Sequence, residues 1–284
     1  MSGHKGVYTP NGVFSVTKTV FDRLAQAIDR VGNSDFYPTL AEYLRACMDY
    51  DNVIVIVFVG TNVPDVLYRS VRGPDVFRYV AEQYLPGAYL LDPVYHFHLR
   101  RGTPGLYRLL DIAPDQFRRS RYFKWYYGRI GIIDEISVLL PIGENTTITI
   151  SLGKDSSSGQ LFSPKAQDQL REHEPVLMAL LRAHFSASGV RAAGERRPTS
   201  IIDNLIASLK GRHSIGLSRR QAEVALLILQ GHSSPSIGLH LGVSPQTVKV
   251  FRKQLYARCG ISSQAELFGL LMPMLGNDGI MEPD

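Results

Sequence analysis

The sequence predicts an α+β protein: an N-terminal α/β/α sandwich on an antiparallel sheet, followed by a C-terminal all-α domain of four helices. Three observations carry this. A β-branched run, "NVIVIVFVG" at 52–60, is too short for an isolated helix and ends at a glycine, which is how a buried strand reads. A second pair of strands, "ISVLLPIGENTTITISLG" at 136–153, folds around a Gly-Glu-Asn turn. After residue 200 the strand signal stops, and short helices with explicit start and stop residues take over.

In chain order, "FSVTKTVFDRLAQAIDRV" places Val20, Phe21, Leu24 and Ile28 on one helical face, and "TLAEYLRACM" repeats the pattern with Leu40, Tyr43, Leu44 and Cys47. The 52–60 strand follows. "DVLYRSV" reads as a second strand and "DVFRYVAEQYL" as a helix. In the later strand pair, Ile148, Ile150 and Leu152 alternate with Thr147, Thr149 and Ser151. A long helix from Ser163, its N-cap, and Pro164, its first residue, closes the domain; Pro175 is a candidate kink. Small residues, glycine and charges at 186–200 read as a linker. The boundaries expected are therefore 1–186 for a sensing domain, 187–213 for linker and lead-in helix, and 214–275 for the helical domain.

Composition narrows the function classes. With 44% apolar and 20% charged residues over 284 positions, the chain can bury a core in each domain. The net charge of +5 is compatible with nucleic acid. Two distant cysteines, Cys47 and Cys259, fit reduced thiols and a reducing compartment. The N-terminus lacks a secretory pattern and no apolar run spans a bilayer, so a cytoplasmic protein without a membrane partner is expected.

The helical segment is the most informative. "LSRRQAEVALLILQG" opens on a reciprocal cap, Ser218 with Gln221, and stops at Gly231. A second helix is capped by Ser234, begins at Pro235 and ends at Gly242; Ser244 and Pro245 then open a third. Helix, glycine turn, helix is the helix-turn-helix layout. On the third helix Val248, Phe251, Leu255 and Cys259 form one stripe, while Gln246, Lys249, Val250 and Lys253 point away from it, with Arg252 on the flank. No acid occurs between Glu223 and Glu266 to balance these cations. Such a face suits double-stranded DNA: the cations meet phosphates or guanine edges, and Val250 meets thymine methyls.

The stretch Leu217–Ala265 resembles the DNA-binding domain of LuxR-type (NarL/FixJ-type) transcriptional regulators. The pattern stands here as Leu217, Ser218, Arg220, Gln221, Glu223, Val224; Gly231, Ser233, Ile237; Ser244, Thr247, Val248, Lys249; Arg258 and Gly260. Gln221, Ser236, Gly238 and Phe251 replace the family's Glu, Glu, Ala and His. The resemblance implies base contacts from Lys249, Val250 and Lys253, with Thr247 and the surrounding cations on the backbone. It also implies a fourth helix, "SQAELFGLLMPML", whose exposed apolar residues serve dimerisation, hence a homodimer on a two-fold operator. RNA polymerase is a further partner of such regulators.

The first domain is aromatic-rich through 82–102 and 118–142, which fits either a filled core or the wall of a small-molecule cavity. Its element order, with Asp92-Pro93 between two helices, is similar to the acyl-homoserine-lactone-binding domain of quorum-sensing LuxR proteins, a PAS/GAF-like sandwich. There the Asp holds the ligand amide. Tyr79 and Tyr84 are nearest to the family's upstream aromatic positions, and the sole tryptophan, Trp125, lies elsewhere. The candidate ligand site is thus Tyr79, Tyr84, Asp92 and Trp125; Asp92-Pro93 reads equally as a helix cap and first residue. His96 and His98 have no third ligand near, the adjacent Asp134 and Glu135 project differently, and no phosphate loop or nucleophile motif occurs, so neither an enzyme nor a metal or other cofactor is expected. The function read is a ligand-responsive DNA-binding transcriptional regulator. The alternative is an antagonist that captures a partner regulator in an inactive heterodimer.

Overall fold

The computed structural model describes residues 11–73, 76–188 and 200–275. They fall into two compact units, one drawn from Met1–Tyr50 with Ser163–Arg191, the other from Asp51–Phe162 with Ala192–Asp284. Of the expected linker, residues 189–199 lie outside the described residues.

The first unit holds three helices: α1 (Asn11–Asp29), α2 (Phe36–Cys47) and α6 (Pro164–Ala187). Gly32 turns the chain between α1 and α2 with φ +84°, a conformation that favours glycine, and a Cβ there would stand 3.1 Å from the Ala187 Cβ. The Gly32 amide donates to Nδ1 of His184 at 3.0 Å, and the His184 ring stacks on Phe36 at 4.0 Å. Tyr43 and His173 join α2 to α6 by a 2.8 Å hydrogen bond. Ser163 caps α6 by accepting from the Ala166 amide, and Pro175 sits within the helix without ending it. One expectation needs correction: Phe21 and Ile28 are 61% and 53% exposed, and Ala27 is the residue of α1 that is buried among those described. The apolar periodicity marks the helix but not its buried side.

The second unit is built on five antiparallel strands in the order β2-β1-β5-β4-β3. These are β1 (Asn52–Val59), β2 (Asp65–Val71), β3 (Gly105–Arg108), β4 (Ile132–Ile142) and β5 (Thr146–Asp155). β4 and β5 form the hairpin expected, and β1 pairs β5 in register Asn52↔Gly153. That register is tight: a Cβ on Gly153 would fall 2.2 Å from Oδ1 of Asn52, so only glycine lets Asn52 reach across to donate to Asp155 at 2.8 Å. Every residue of β1 and β5 is buried, so the row Thr147, Thr149, Ser151 is polar but inward.

Between β2 and β4 the chain is a run of short turns. The helix expected over 75–85 is only a five-residue π-helical turn, Val80–Tyr84, followed by a 3₁₀ turn at Ala88–Leu91. Pro86 cannot donate a ladder hydrogen bond, which limits any longer helix. Then come α3 (Pro93–Leu99), β3, α4 (Leu109–Ile112), a 3₁₀ turn at Phe117–Arg119, a π-helical turn at Phe123–Tyr127 and α5 (Gly128–Ile130).

The helical part of this unit comprises α7 (Ile201–His213), α8 (Arg219–Gln230), α9 (Ser234–Leu241), α10 (Pro245–Cys259) and α11 (Gln264–Leu275). The capping box of α8 is complete, with Ser218 accepting from the Gln221 amide and Gln221 accepting from the Ser218 amide. The cap of α9 is Ser233 rather than Ser234, which shifts the start by one residue and puts Pro235 at the second helical position. Val224, Ile228, Ile237, Val248, Leu255, Leu267 and Leu271 are all buried and form the shared core. Cys47 is buried, Cys259 half-buried, and both are free. Among the described residues no helix is long and apolar enough to cross a membrane.

Candidate functional site

Two sites emerge, an outward face on α10 and a cavity over the sheet. α10 is anchored from behind by Val248 and Leu255, both fully buried, with Phe251 and Cys259 half-buried beside them. Ser244 caps it, accepting from the Thr247 amide at 3.0 Å, and the Ser244 and Thr247 hydroxyls also bond at 2.8 Å. The turn into α10 is close: a Cβ on Gly238 would stand 2.6 Å from the Val243 carbonyl oxygen. A glycine in α9 therefore lets the two helices approach.

Gln246, Lys249, Val250 and Lys253 are exposed on α10, Thr247 and Arg252 half-exposed. Val250 stands 46% exposed, a methyl pair in water between two lysines. Among the described residues no carboxylate lies within ion-pair distance of Lys249, Arg252 or Lys253. The acids of this part of the chain are engaged elsewhere. Asp203 pairs with Arg219, Glu223 with Arg219 and Arg220, and Glu266 accepts from Ser262 and Ser263. Arg252 leans on the Tyr256 ring at 5.8 Å, and Arg258 donates to the Gly216 carbonyl at 2.7 Å. Among the described residues the face is thus a row of cations without carboxylate partners around one apolar side chain.

Residues 216–271 match the family described as bacterial regulatory proteins, luxR family. These helices are a luxR-family regulatory domain. Two of its local departures make hydrogen bonds here: Gln221 completes the cap, and Ser236 shares a 2.8 Å hydrogen bond with the His232 ring. The chain is 28% identical over 184 residues, 61% of its length, to a protein of Aeromonas salmonicida described as an HTH-type transcriptional regulator in the exeN 3′ region, covering 90% of that protein. Its fold is similar to that of the VqsR LBD domain from Pseudomonas aeruginosa (TM-score 0.50, 23% identity, 59% of this chain and 96% of that one). Escherichia coli SdiA aligns over 93% of this chain and all of its own, at TM-score 0.40 and 16% identity. The luxR-family fourth helix, α11, departs from expectation: Leu267, Phe268, Leu271, Met272, Met274 and Leu275 are buried within this chain, not exposed. Phe268 meets Trp125 edge-on at 5.6 Å.

The cavity, about 40 Å³, opens on the face of the sheet that carries Ile54, Ile56, Thr149 and Ser151. Tyr84, Tyr126 and Tyr127 wall it, and Asp92 and Glu135 point their chemistry into it. Asp92 is a helix cap and also a cavity-lining residue. It caps α3, with Oδ1 accepting from the Val94 amide at 2.8 Å, and it lines the cavity, with Oδ2 accepting from the Tyr84 hydroxyl at 2.9 Å. Burial raises its pKa to about 6, opposed by these two hydrogen bonds. Glu135 is pushed up to about 7, by burial first and by the Asp92 charge second. Ser137 donates to Glu135 at 3.1 Å and shares a 2.8 Å hydrogen bond with Ser151.

Of the four expected ligand residues, the structure brings Tyr84 and Asp92 together and leaves two outside the cavity lining. Trp125 faces Phe268 and, at 5.9 Å, the Arg129 guanidinium, while its neighbour Tyr126 lines the cavity. Tyr79 is half-buried ahead of the Val80–Tyr84 turn, with Arg78 over its ring at 5.8 Å. The sequence reading missed Glu135, Thr149 and Ser151. The available signal was a polar row on a strand flanked by apolar residues on the other face. Asp134 does project away from Glu135, pairing with Arg108 at 3.0 Å. The histidines His96 and His98 are structural, bonded to the Leu90 carbonyl and to Thr147 with the Gly60 carbonyl. Among the described residues no group of three or more His, Cys, Asp or Glu is placed to hold a metal ion.

Proposed function

We propose that this protein is a sequence-specific DNA-binding transcriptional regulator whose first domain responds to a small molecule. The observation that carries the reading is the exposed, uncompensated Lys249–Val250–Lys253 face of α10 within a luxR-family domain. In this reading Lys249, Val250 and Lys253 read base edges, and Gln246, Thr247 and Arg252 hold phosphates and register. Residues 214–275 act as the DNA-binding domain, 187–213 as linker and lead-in helix, and 1–186 as the sensing domain. The protein works as a homodimer in the cytoplasm, alongside RNA polymerase, without catalysis. Tyr84 and Asp92 belong to the ligand site, with Glu135 added. Its relation to quorum sensing rests on the resemblance of the first domain.

The test is binding of the full chain to the promoter DNA of its own operon by fluorescence anisotropy across a salt series. Each phosphate neutralised releases counterions, so log K falls linearly with log salt, with a slope near −0.9 per phosphate contacted. A steep negative slope supports the regulator. Absence of DNA binding, with capture of a second regulator instead, supports the heterodimer antagonist.

A further inference from the structure

The helix-turn-helix is held by a turn from outside it. Between Glu223 and Glu266 the sequence has no acid, so α9 and α10 carry no negative side chain of their own. A carboxylate nonetheless reaches the start of α9. Asp115, from the turn at 114–117, accepts from the Ser233 amide at 2.9 Å. Burial works against its charge, yet the Ser233 hydroxyl and amide and the nearby His232 hold Asp115 below the usual carboxylate range, so it stands there as an anion.

The place it takes is one that a duplex needs. In a helix-turn-helix the second helix enters the major groove while the first crosses the DNA backbone. α10 carries the exposed lysine face, which leaves α9 to meet the backbone. Amides at a helix start have no intrahelical partner and suit an oxygen anion; on DNA that anion is a phosphate. Asp115 is an oxygen anion on one of these amides, and its charge also has the wrong sign for an edge that faces phosphates.

The carboxylate is fixed there by backbone. The Gln116 amide donates to the Gly231 carbonyl at 2.9 Å, and a Cβ on Gly231 would stand 2.8 Å from the Phe117 Cα. Further along the same stretch, Trp125 packs on Phe268 of α11. Asp115 itself is exposed, as is the lysine face of α10, so the contact lies at the surface rather than in the core.

We propose that Asp115 occupies the place of a DNA phosphate at the start of α9, so that the 114–117 turn and the duplex exclude one another and the contact restrains DNA binding. This rests on reading the protein as a DNA-binding regulator and adds what holds it back.

The test measures binding of the full chain to promoter DNA by fluorescence anisotropy at one salt concentration, with circular dichroism to verify folding. Asp115→Ala is expected to bind at least about threefold more tightly than the parent, the size of effect that loss of one exposed ionic contact produces. Asp111→Ala removes an exposed acid of α4 and is expected to stay within about twofold of the parent, which separates the contact from the loss of one negative charge. An Asp115→Cys/Ser233→Cys protein tests exclusion directly. With the two positions joined by a disulfide it is expected to bind at least about tenfold more weakly than the same protein reduced. The parent, oxidised alongside, controls for Cys47 and Cys259. Equal affinity of Asp115→Ala and the parent, an equal gain in Asp111→Ala, or unchanged binding by the disulfide-joined protein overturns the restraint and leaves the regulator standing. Failure of all these proteins to bind DNA overturns the regulator reading and the restraint with it.

Discussion

Gly231 meets Phe117 backbone to backbone: the Gln116 amide donates to the Gly231 carbonyl at 2.9 Å, and a Cβ on Gly231 would stand 2.8 Å from the Phe117 Cα. Two residues from Phe117 and two from Gly231, Asp115 accepts from the Ser233 amide at 2.9 Å. The turn that separates α8 from α9 in the helix-turn-helix is therefore gripped by the stretch that, ten residues later, supplies Tyr126 and Tyr127 to the cavity.

Gly231→Ala is expected to destabilise the protein by roughly 1–3 kcal/mol, because φ +98° is strained for alanine and the methyl meets backbone that cannot rotate away. Urea denaturation monitored by circular dichroism checks this. A midpoint unchanged from that of the parent would show that the grip is not formed in solution.

Trp125 lies between that stretch and α11, beside Tyr126 and against Phe268. Tyr126 lines the cavity beside the chain's single tryptophan, so a ligand that displaces Tyr126 changes the surroundings of Trp125. Ligands that alter DNA binding are expected to shift Trp125 emission, and Phe268→Ala to shift it without ligand. An emission spectrum indifferent to every active ligand would separate Trp125 from signalling.

Much of this was legible beforehand, and the failures have physical causes. The caps at Ser163, Ser218 and Ser244 could be placed from sequence because a hydroxyl accepting a free amide at a helix start is a local event. The outward face of α10 followed from angle alone. The turn region between β2 and β4 was not legible, since π-helical and 3₁₀ turns have no strong periodicity and are fixed by tertiary contact. Glu135 was set aside because adjacency to Asp134 says nothing of what each faces; only the β4–β5 register, Glu135 opposite Gly153 and Ser137 opposite Ser151, brings it to the cavity. The apolar residues of α11 are as sequence showed them, but their burial comes from packing on α7, α8 and the Ala88–Leu91 turn, with Phe268 on Trp125.

Ser218→Ala is expected to cost about 1 kcal/mol, since it removes the hydroxyl that accepts from the Gln221 amide and leaves only the backbone half of the capping box. Denaturant melts check the size. Ser234→Ala should cost less than Ser233→Ala, since Ser233 is the residue that accepts from the Ser236 amide. The reverse order would restore Ser234 as the cap.

Glu135→Gln is expected to change how stability depends on pH in a definite direction. In the folded chain Glu135 holds its proton up to about pH 7, against an ordinary value of 4.5, so folding takes up a proton between these pH values. Its favourable contribution is complete below about pH 4.5 and is lost as pH rises through 7. Relative to Glu135→Gln, the parent protein therefore loses up to roughly 3 kcal/mol over that interval and nothing further above it. His96 and His232, held near 4 by burial, act with the opposite sign between about 4 and 6.5. They are common to both proteins, so the difference reports Glu135 together with its coupling to Asp92. Parallel stability curves would show that Glu135 ionises normally.

The central claim is that α10 enters DNA through Lys249, Val250 and Lys253. The most direct measurement is the salt dependence of promoter binding by the full-length Lys249→Ala/Lys253→Ala protein beside its parent, with circular dichroism to verify folding. Both lysines are exposed and unpaired, so the fold should be kept. The account predicts that specific binding is abolished and that any residual binding has a salt slope shallower by up to about 2. A folded double variant that binds the promoter with the parent's affinity and slope would contradict it.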